Sequence, residues 1–418
     1  MNSFADREIS SRIFFTLAIT SIWAVLPVAS VFLIFFLIYK MDERSYNIPY
    51  LLFLVSLSFG LIAYTAVSVD RGGEPTDITR YAAQFRTLAE IHTLKEFIFS
   101  AVLTDGGIYV VFQLTCLLLA KTFPTNPQVL PLFWVAFEYF FLQMAIYELS
   151  IYRKPWEKNT FLILAITLLF GTSLFTIQVE LLKQSSATAL AAYAIFRYMN
   201  GKKNNGWIFL ISLLIHSSVL IFLPILLFGK KQFINRYYLL ILGGAFCLSL
   251  IDINKAISLI PVAGLAERAS FYADIEGWTI NKINYALTFL YTLMLLLVLY
   301  DSRRKNKDNT FDRLMFNTII VSYSVLIAQF HSVHNFVRYT YLHSPFYIVT
   351  FFSVFTGNMT KLSRLYIAIC FILVLIFLNI SYTWTYLNST YTNSFMDNSL
   401  TRLFTSNVYV FLNYKAVN

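Results

Sequence analysis

The sequence predicts an all-α polytopic membrane protein of about ten transmembrane helices, with two further helices re-entrant or half-inserted. Three observations predict it. Charged residues are 13% of the chain against 58% hydrophobic, where a soluble domain carries about 25% charged residues. Long apolar runs alternate with short charged ones, as serial bilayer spans require and a single soluble core does not. The basic residues gather in short turns between those runs, the distribution that the positive-inside rule describes.

The first apolar run, 13–39, is roughly 40 Å long as a helix. It is too long for a secretory h-region and is read as a retained span. Six turns, 40–44, 153–158, 197–203, 230–236, 301–313 and 361–364, hold 18 of the 32 Lys and Arg but six of the 22 Asp and Glu. They are assigned to the cytoplasmic side of a bacterial inner membrane. Ten full spans then satisfy the charges: 13–39, 48–69, 131–150, 160–176, 180–199, 237–253, 283–300, 314–330, 344–358 and 365–387. Two apolar segments do not fit as crossings. Segment 105–120 has outer sequence on both sides, and 207–228 has a basic turn on both sides. Both are expected to enter and return, which the bilayer tolerates only where protein or a water-filled cavity covers the backbone.

Residues 1–418 form one membrane domain, with periplasmic loops near 70–104 and 252–282 and a short outer segment at 331–343. Cys116, Cys247 and Cys370 all fall in apolar runs without close spacing, so neither a disulfide framework nor a thiol metal site is expected. The net charge of +10 is a consequence of topology, and no nucleic-acid partner is expected.

Candidate chemistry lies at the outer end. Residues 70–86 hold three arginines and three acids. A helix that begins after Pro75, with Thr76 as its cap, places Asp77, Arg80, Tyr81 and Gln84 on one face. Glu180, Lys183 and Gln184 share a face at the outer end of a span, where charges otherwise snorkel to the headgroups. His216 lies in the middle of the second re-entrant segment, and an ionisable residue at that depth is a functional candidate. Three of the five histidines lie in 331–343. If a helix runs through that segment, His331, His334 and Arg338 line one face. With no Cys or acidic fourth ligand nearby, an anion grip is the better reading, and no metal is expected. Phosphate loops, dinucleotide fingerprints and G-x-S-x-G elbows are absent, so no nucleotide or other cofactor is expected.

These landmarks resemble a family. Arg71…Asp77-x-x-x-Tyr81-x-x-x-Phe85 is similar to the outer-loop signature of Wzy-type O-antigen and EpsG-like bacterial polysaccharide polymerases. Lys183-Gln184-Ser185-Ser186-Ala187 resembles their Arg-Gln-x-x-Ala stretch. Lys202-Lys203…His216-Ser217-Ser218…Leu223-Pro224 resembles their basic turn followed by His-x-Ser and Leu-Pro, and Val337-Arg338-Tyr339 a late arginine-bearing outer segment. The order agrees from about residue 70 to 345. The departures are Pro75, where the family has glycine, and Lys183, where it has arginine. A lysine cannot make arginine's bidentate fork.

The resemblance implies a GT-C-like helical fold and an O-antigen polymerase. Such an enzyme transfers an undecaprenyl-diphosphate-linked glycan onto a lipid-linked repeat unit at the periplasmic face. The partners it implies are that lipid-linked oligosaccharide, membrane lipid and a chain-length regulator protein. Under this reading Arg71, Arg80 and Arg338 bind diphosphate, with His331 and His334 as secondary donors. Asp77 is the first choice for the base and His216 the alternate. Tyr81 stacks on sugar, and Lys183 and Gln184 contact substrate. The rival readings are a flippase for the same lipid-linked unit and a membrane acyltransferase acting on glycans. A flippase should show internal repeats and charges deep in the bundle.

Overall fold

The computed structural model describes residues 2–42, 45, 47–68, 77–99, 109–151, 158–172, 175–252, 255, 282–302, 310–355, 361–387, 392–393, 396 and 399–414. Helices α1 (Asn2–Val25) and α2 (Ser30–Lys40) precede α3 (Asn47–Tyr64). The loop after α3 carries α4 (Asp77–Glu90) and α5 (Leu94–Phe97), followed by α6 (Val110–Thr122) and α7 (Val129–Ser150). Next come α8 (Lys158–Thr167), a π-helical turn at Leu168–Thr172, α9 (Phe175–Glu180) and α10 (Leu182–Met199). A broken segment follows: α11 (Asn205–Ile215), a 3-10 turn (Ser217–Phe222) and α12 (Leu223–Phe228), then α13 (Gln232–Arg236) and α14 (Tyr238–Leu248). The second half holds α15 (Lys282–Ser302), α16 (Thr310–Ala328), α17 (Val333–Leu342), α18 (Ser344–Phe355), α19 (Lys361–Leu387), α20 (Leu400–Thr405) and α21 (Val408–Leu412). Two-residue strands, Val67–Ser68 and Thr392–Asn393, pair antiparallel and tie the end of α3 to the chain beyond α19. Below, the outer end is the one beside α4, and the basic end is the one with turns 197–203 and 230–236.

Among the described residues, four helices are each long and apolar enough to cross a membrane alone: Asn47–Tyr64, Val129–Ser150, Lys282–Tyr300 and Thr310–Ala328. The chain is a polytopic helical membrane protein. Among the remaining expected spans, α10 and α19 are continuous helices of 18 and 27 residues, while the others are covered by shorter apolar helices. The run 13–39 is one of these and divides at Leu26–Ala29. Pro27 lacks the N–H a helix needs and its ring crowds the preceding turn. The freed Pro27 carbonyl accepts from the Ser58 hydroxyl at 2.7 Å, and Ser58 in turn accepts from Trp23 Nε1 at 3.0 Å.

The centre is made by α3, α7 and α10. Phe59 of α3 stacks on Tyr139 of α7 at 4.1 Å. Gln143 donates to Ser56 at 2.8 Å, and Ser186 of α10 donates to the Trp134 carbonyl at 3.2 Å. Inside lipid, apolar burial does not favour helix contact over lipid contact, so small residues and interhelical hydrogen bonds set the packing. Gly60 shows this most clearly. A Cβ there would lie 2.6 Å from the Leu132 carbonyl oxygen and 2.9 Å from the Ala136 Cβ. Gly60→Ala is therefore expected to cost about 1–3 kcal/mol, as overpacking does, and Gly60→Val more. Thermal unfolding in detergent checks this, and an unchanged midpoint for both would contradict the close approach.

The segment 207–228 does enter and return. Asn205, at its start, donates to the Lys202 carbonyl at 2.6 Å. At its end, Lys230 Nζ lies 4.5 Å over the Tyr198 ring, at the basic end of α10. Its apex, His216, stacks on Tyr109 at 4.8 Å, and Tyr109 also faces Lys183 at the opposite end of α10. Helix α10 has 18 residues, about 27 Å, while α11 has 11, about 16 Å, so the rising limb is shorter than α10 before the chain turns back. The extended backbone of His216, φ −158° and ψ 129°, makes the break.

Helix α6, expected at 105–120, begins at Val110 and has 13 residues, about 20 Å. Phe112 near its start stacks on Trp134 at 4.9 Å, and Lys121 near its end donates to the Ala89 carbonyl at 2.8 Å. It therefore rises beside α4 toward the outer end without crossing.

The outer segment 331–343 is helical from Val333, and α17 and α18 form one bent path. The His343 N–H donates to Tyr339 O and the Tyr347 N–H to His343 O, both at 3.0 Å. His343 is fully buried, with its Nε2 2.9 Å from the Ser322 carbonyl in mid-α16. Burying two aromatic faces on α15, where Tyr291 meets Tyr347 at 4.5 Å, draws the helix inward. Phe330 and His331, in the turn 329–332, are exposed.

Candidate functional site

Five elements converge at the outer end. Asp77 stands in the first turn of α4, where the helix dipole favours a carboxylate. Arg80, one turn on, is ion-paired with it. The Arg338 guanidinium of α17 reaches the same carboxylate from the far end of the chain, Nη2 to Oδ2 3.8 Å. The side chains of Asp77 and Arg338 are each 20% exposed, while that of Arg80 is 61% exposed. The 3.8 Å contact is longer than a charge-assisted hydrogen bond of about 2.7–2.9 Å. The Arg338 Nε–H is buried and has no hydrogen-bond partner among the described residues. The guanidinium thus keeps donor capacity.

Beside this triad sits a cationic side chain in an aromatic cage. Lys183 Nζ lies 5.3 Å from the centre of the Tyr81 ring, 5.1 Å from Tyr109 and 5.3 Å from Phe112. Each contact is a cation–π attraction, strongest where water is excluded. Tyr81 packs on Phe112 at 5.7 Å, and Gln84 donates to Gln113 at 3.2 Å, which locks α4 to α6. Burial, and after it the nearby Asp77 carboxylate, push the Tyr81 phenol well above the usual tyrosine range. It stays a neutral hydroxyl.

Tyr109 carries the link onward, its ring parallel to His216 within 12°. The Ser218 N–H donates to His216 Nδ1 at 3.1 Å, and the Ser218 hydroxyl lies 2.8 Å from the same nitrogen. A nitrogen that accepts a backbone N–H bears no proton, so neutral His216 carries its proton on Nε2. The capping bond that starts the 3-10 turn thereby fixes the tautomer.

The structure brings Asp77, Arg80, Tyr81, Lys183, His216 and Arg338 together. Gln184 follows Lys183 into α10, half-buried. His334 lies one turn before Arg338 and is buried. His331 does not share their helical face: α17 begins at Val333, and His331 sits in the exposed turn before it. The turn closes with the Ser332 N–H donating to Gln329 O at 3.0 Å, while the Ser332 hydroxyl donates to Asp252 at 2.8 Å. Arg71 and Thr76 lie outside the described residues. Sequence reasoning missed Tyr109, Phe112 and Gln113. The available signal was an aromatic pair three residues apart at the start of a half-inserted helix. No group of three His, Cys, Asp or Glu suited to a metal is found among the described residues.

Fold and site together define a class: a polytopic helical membrane protein whose site cations, Arg80, Lys183 and Arg338, gather at one end of the bundle. The chain belongs to the EpsG family, whose model matches residues 61–396. That family is associated with glycosyltransferase-like polysaccharide polymerisation, and the match spans every element of the site. No curated protein and no solved structure matches the chain.

Proposed function

We propose that the protein is an O-antigen-type polysaccharide polymerase. It transfers a glycan from undecaprenyl diphosphate onto a lipid-linked repeat unit at the periplasmic face of the inner membrane. The observation that carries this reading is the mostly buried guanidinium of Arg338, held beside Asp77 with donor capacity left at its buried Nε–H.

The chemistry asks for little else. The bond from the anomeric carbon to the diphosphate oxygen breaks, and a bond to the acceptor hydroxyl oxygen forms. The diphosphate takes the electron pair, and one of its oxygens can take the acceptor's proton late in the step. Such a reaction is accelerated chiefly by positioning and by donors aimed where charge builds. Arg338 and Arg80 bind the diphosphate, with Arg71 and the nearby His334 and His331 at its edge. Asp77 anchors the two arginines. His216 offers Nε2–H as a donor, and its capped tautomer suits that role. Tyr81 stacks on sugar, while Lys183 and Gln184 border the acceptor. A chain-length regulator protein is the expected partner.

The test is the purified protein in detergent with a lipid-linked repeat unit and no nucleotide. A ladder of longer glycans is the expected product. Recovery of unextended substrate alone, with transbilayer movement of that substrate in vesicles, would establish the flippase instead.

Orientation has its own test. In a cysteine-free background, Lys95→Cys should react with an impermeant thiol reagent from outside intact cells, and Asn306→Cys should not. Labelling of residue 306 from outside would invert the topology. Metal has another. With no Cys or acidic residue near the histidines in sequence, activity should survive EDTA. Complete loss, restored by one divalent ion, would require a metal-assisted step.

A further inference from the structure

At the basic end, away from the site, lies a cavity of about 240 Å³. Its walls are the end of α10 and the turn after it (Tyr198, Asn200, Gly201), Lys230 at the foot of the hairpin, and the start of α16 (Thr310, Phe311). No element of the proposed reaction uses it.

Three features define what fits. The first is charge. Lys230 Nζ is held 4.5 Å over the Tyr198 ring, at the edge of the cavity, and Thr310 adds a hydroxyl. Lys202, Lys203, Lys231 and Arg236 surround the same end. The nearby acid Glu148 is already engaged, by Asn200 Nδ2 at 3.0 Å and by Arg197 at 3.6 Å. Among the described residues no acid lines the cavity, and Asp312 stands in the first turn of α16. The second is shape. Gly201 has φ +69°, and a Cβ on it would meet nothing within 4 Å, so the floor is open backbone. The third is the surroundings. Leu227, Phe228 and Phe233, flanking Lys230 in sequence, are each at least half exposed, an apolar band suited to acyl chains.

We propose that this cavity holds the phosphodiester headgroup of an anionic phospholipid, its acyl chains lying along Leu227, Phe228 and Phe233. Basic pockets between helices on the cytoplasmic side are the places where membrane proteins hold anionic headgroups. The lipid would join the feet of three elements: α10, the re-entrant hairpin and α16. This inference is independent of the reaction proposed above.

The experiment measures lipid retention by the purified protein, by native mass spectrometry after equilibration in micelles containing phosphatidylglycerol and phosphatidylcholine. The wild type should prefer phosphatidylglycerol. Lys230→Gln should lower that preference about fivefold, the scale of one basic residue at an anionic surface. Lys230→Arg should keep it, and so should Lys231→Gln, which removes a neighbouring charge that does not line the cavity. The variants are compared at equal elution as folded protein. An equal loss in Lys230→Gln and Lys231→Gln would overturn the pocket in favour of diffuse attraction. No preference in the wild type would overturn it too. Displacement of the lipid by excess inorganic phosphate would show that a free anion, not a lipid, is the occupant.

Discussion

Arg338→Ala is expected to slow glycan transfer by roughly 10²–10³-fold while the protein stays in the membrane at normal level. The number follows from what the side chain does. It is the one guanidinium in the described site that is mostly buried, and low local dielectric strengthens a donor where charge develops. Removing one such preorganised donor typically costs about 3–4 kcal/mol at the transition state. Arg338→Lys should recover only part of the rate, because a point charge replaces the fork. In cells the glycan ladder should vanish, leaving single lipid-linked repeats at the periplasmic face. Repeats trapped on the cytoplasmic face in the Arg338→Ala strain would sink the polymerase reading and favour transport. A drop in protein level matching the drop in product would make the residue structural.

Local parts of this site were legible, and its assembly was not. The spacing of Asp77, Arg80, Tyr81 and Gln84 placed them on one helical face, and α4 forms over those residues. The charge bias around 207–228 called for a hairpin, because equal flanks cannot lie on opposite sides, and the chain returns. By contrast, nothing short-range ties Arg338 to Asp77. That contact depends on α17 turning inward, and the extra aromatic contacts that draw it in are tertiary. The histidine face failed for a local reason. A helix through 331 was needed, yet the Gln329–Ser332 turn holds His331 before the first helical residue. Hydropathy also passed over Pro27, because one proline hardly changes the mean of an apolar run while it does break the helix. The cage around Lys183 could not be foreseen either. Tyr81, Tyr109 and Phe112 meet only because α4 and α6 lie side by side.

Asp77→Asn is expected to lower the rate roughly 10²-fold, and the reason separates an anchor from a base. Two guanidiniums converge on this carboxylate, Arg80 from its own helix and Arg338 from across the bundle. An amide of the same shape keeps the packing but loses the charge that holds both, so the arginines drift from the diphosphate. If Asp77 acts through them, its loss and theirs are not independent. Residues in one ion-pair network show coupling of about 0.5–3 kcal/mol. The double variant Asp77→Asn with Arg338→Lys should then be little worse than the worse single variant. Asp77→Glu, which restores the charge one methylene further out, should recover part of the rate. A proton-accepting role predicts the opposite: losses that multiply in the double variant. Full multiplication would move Asp77 from anchoring the arginines to receiving the acceptor's proton.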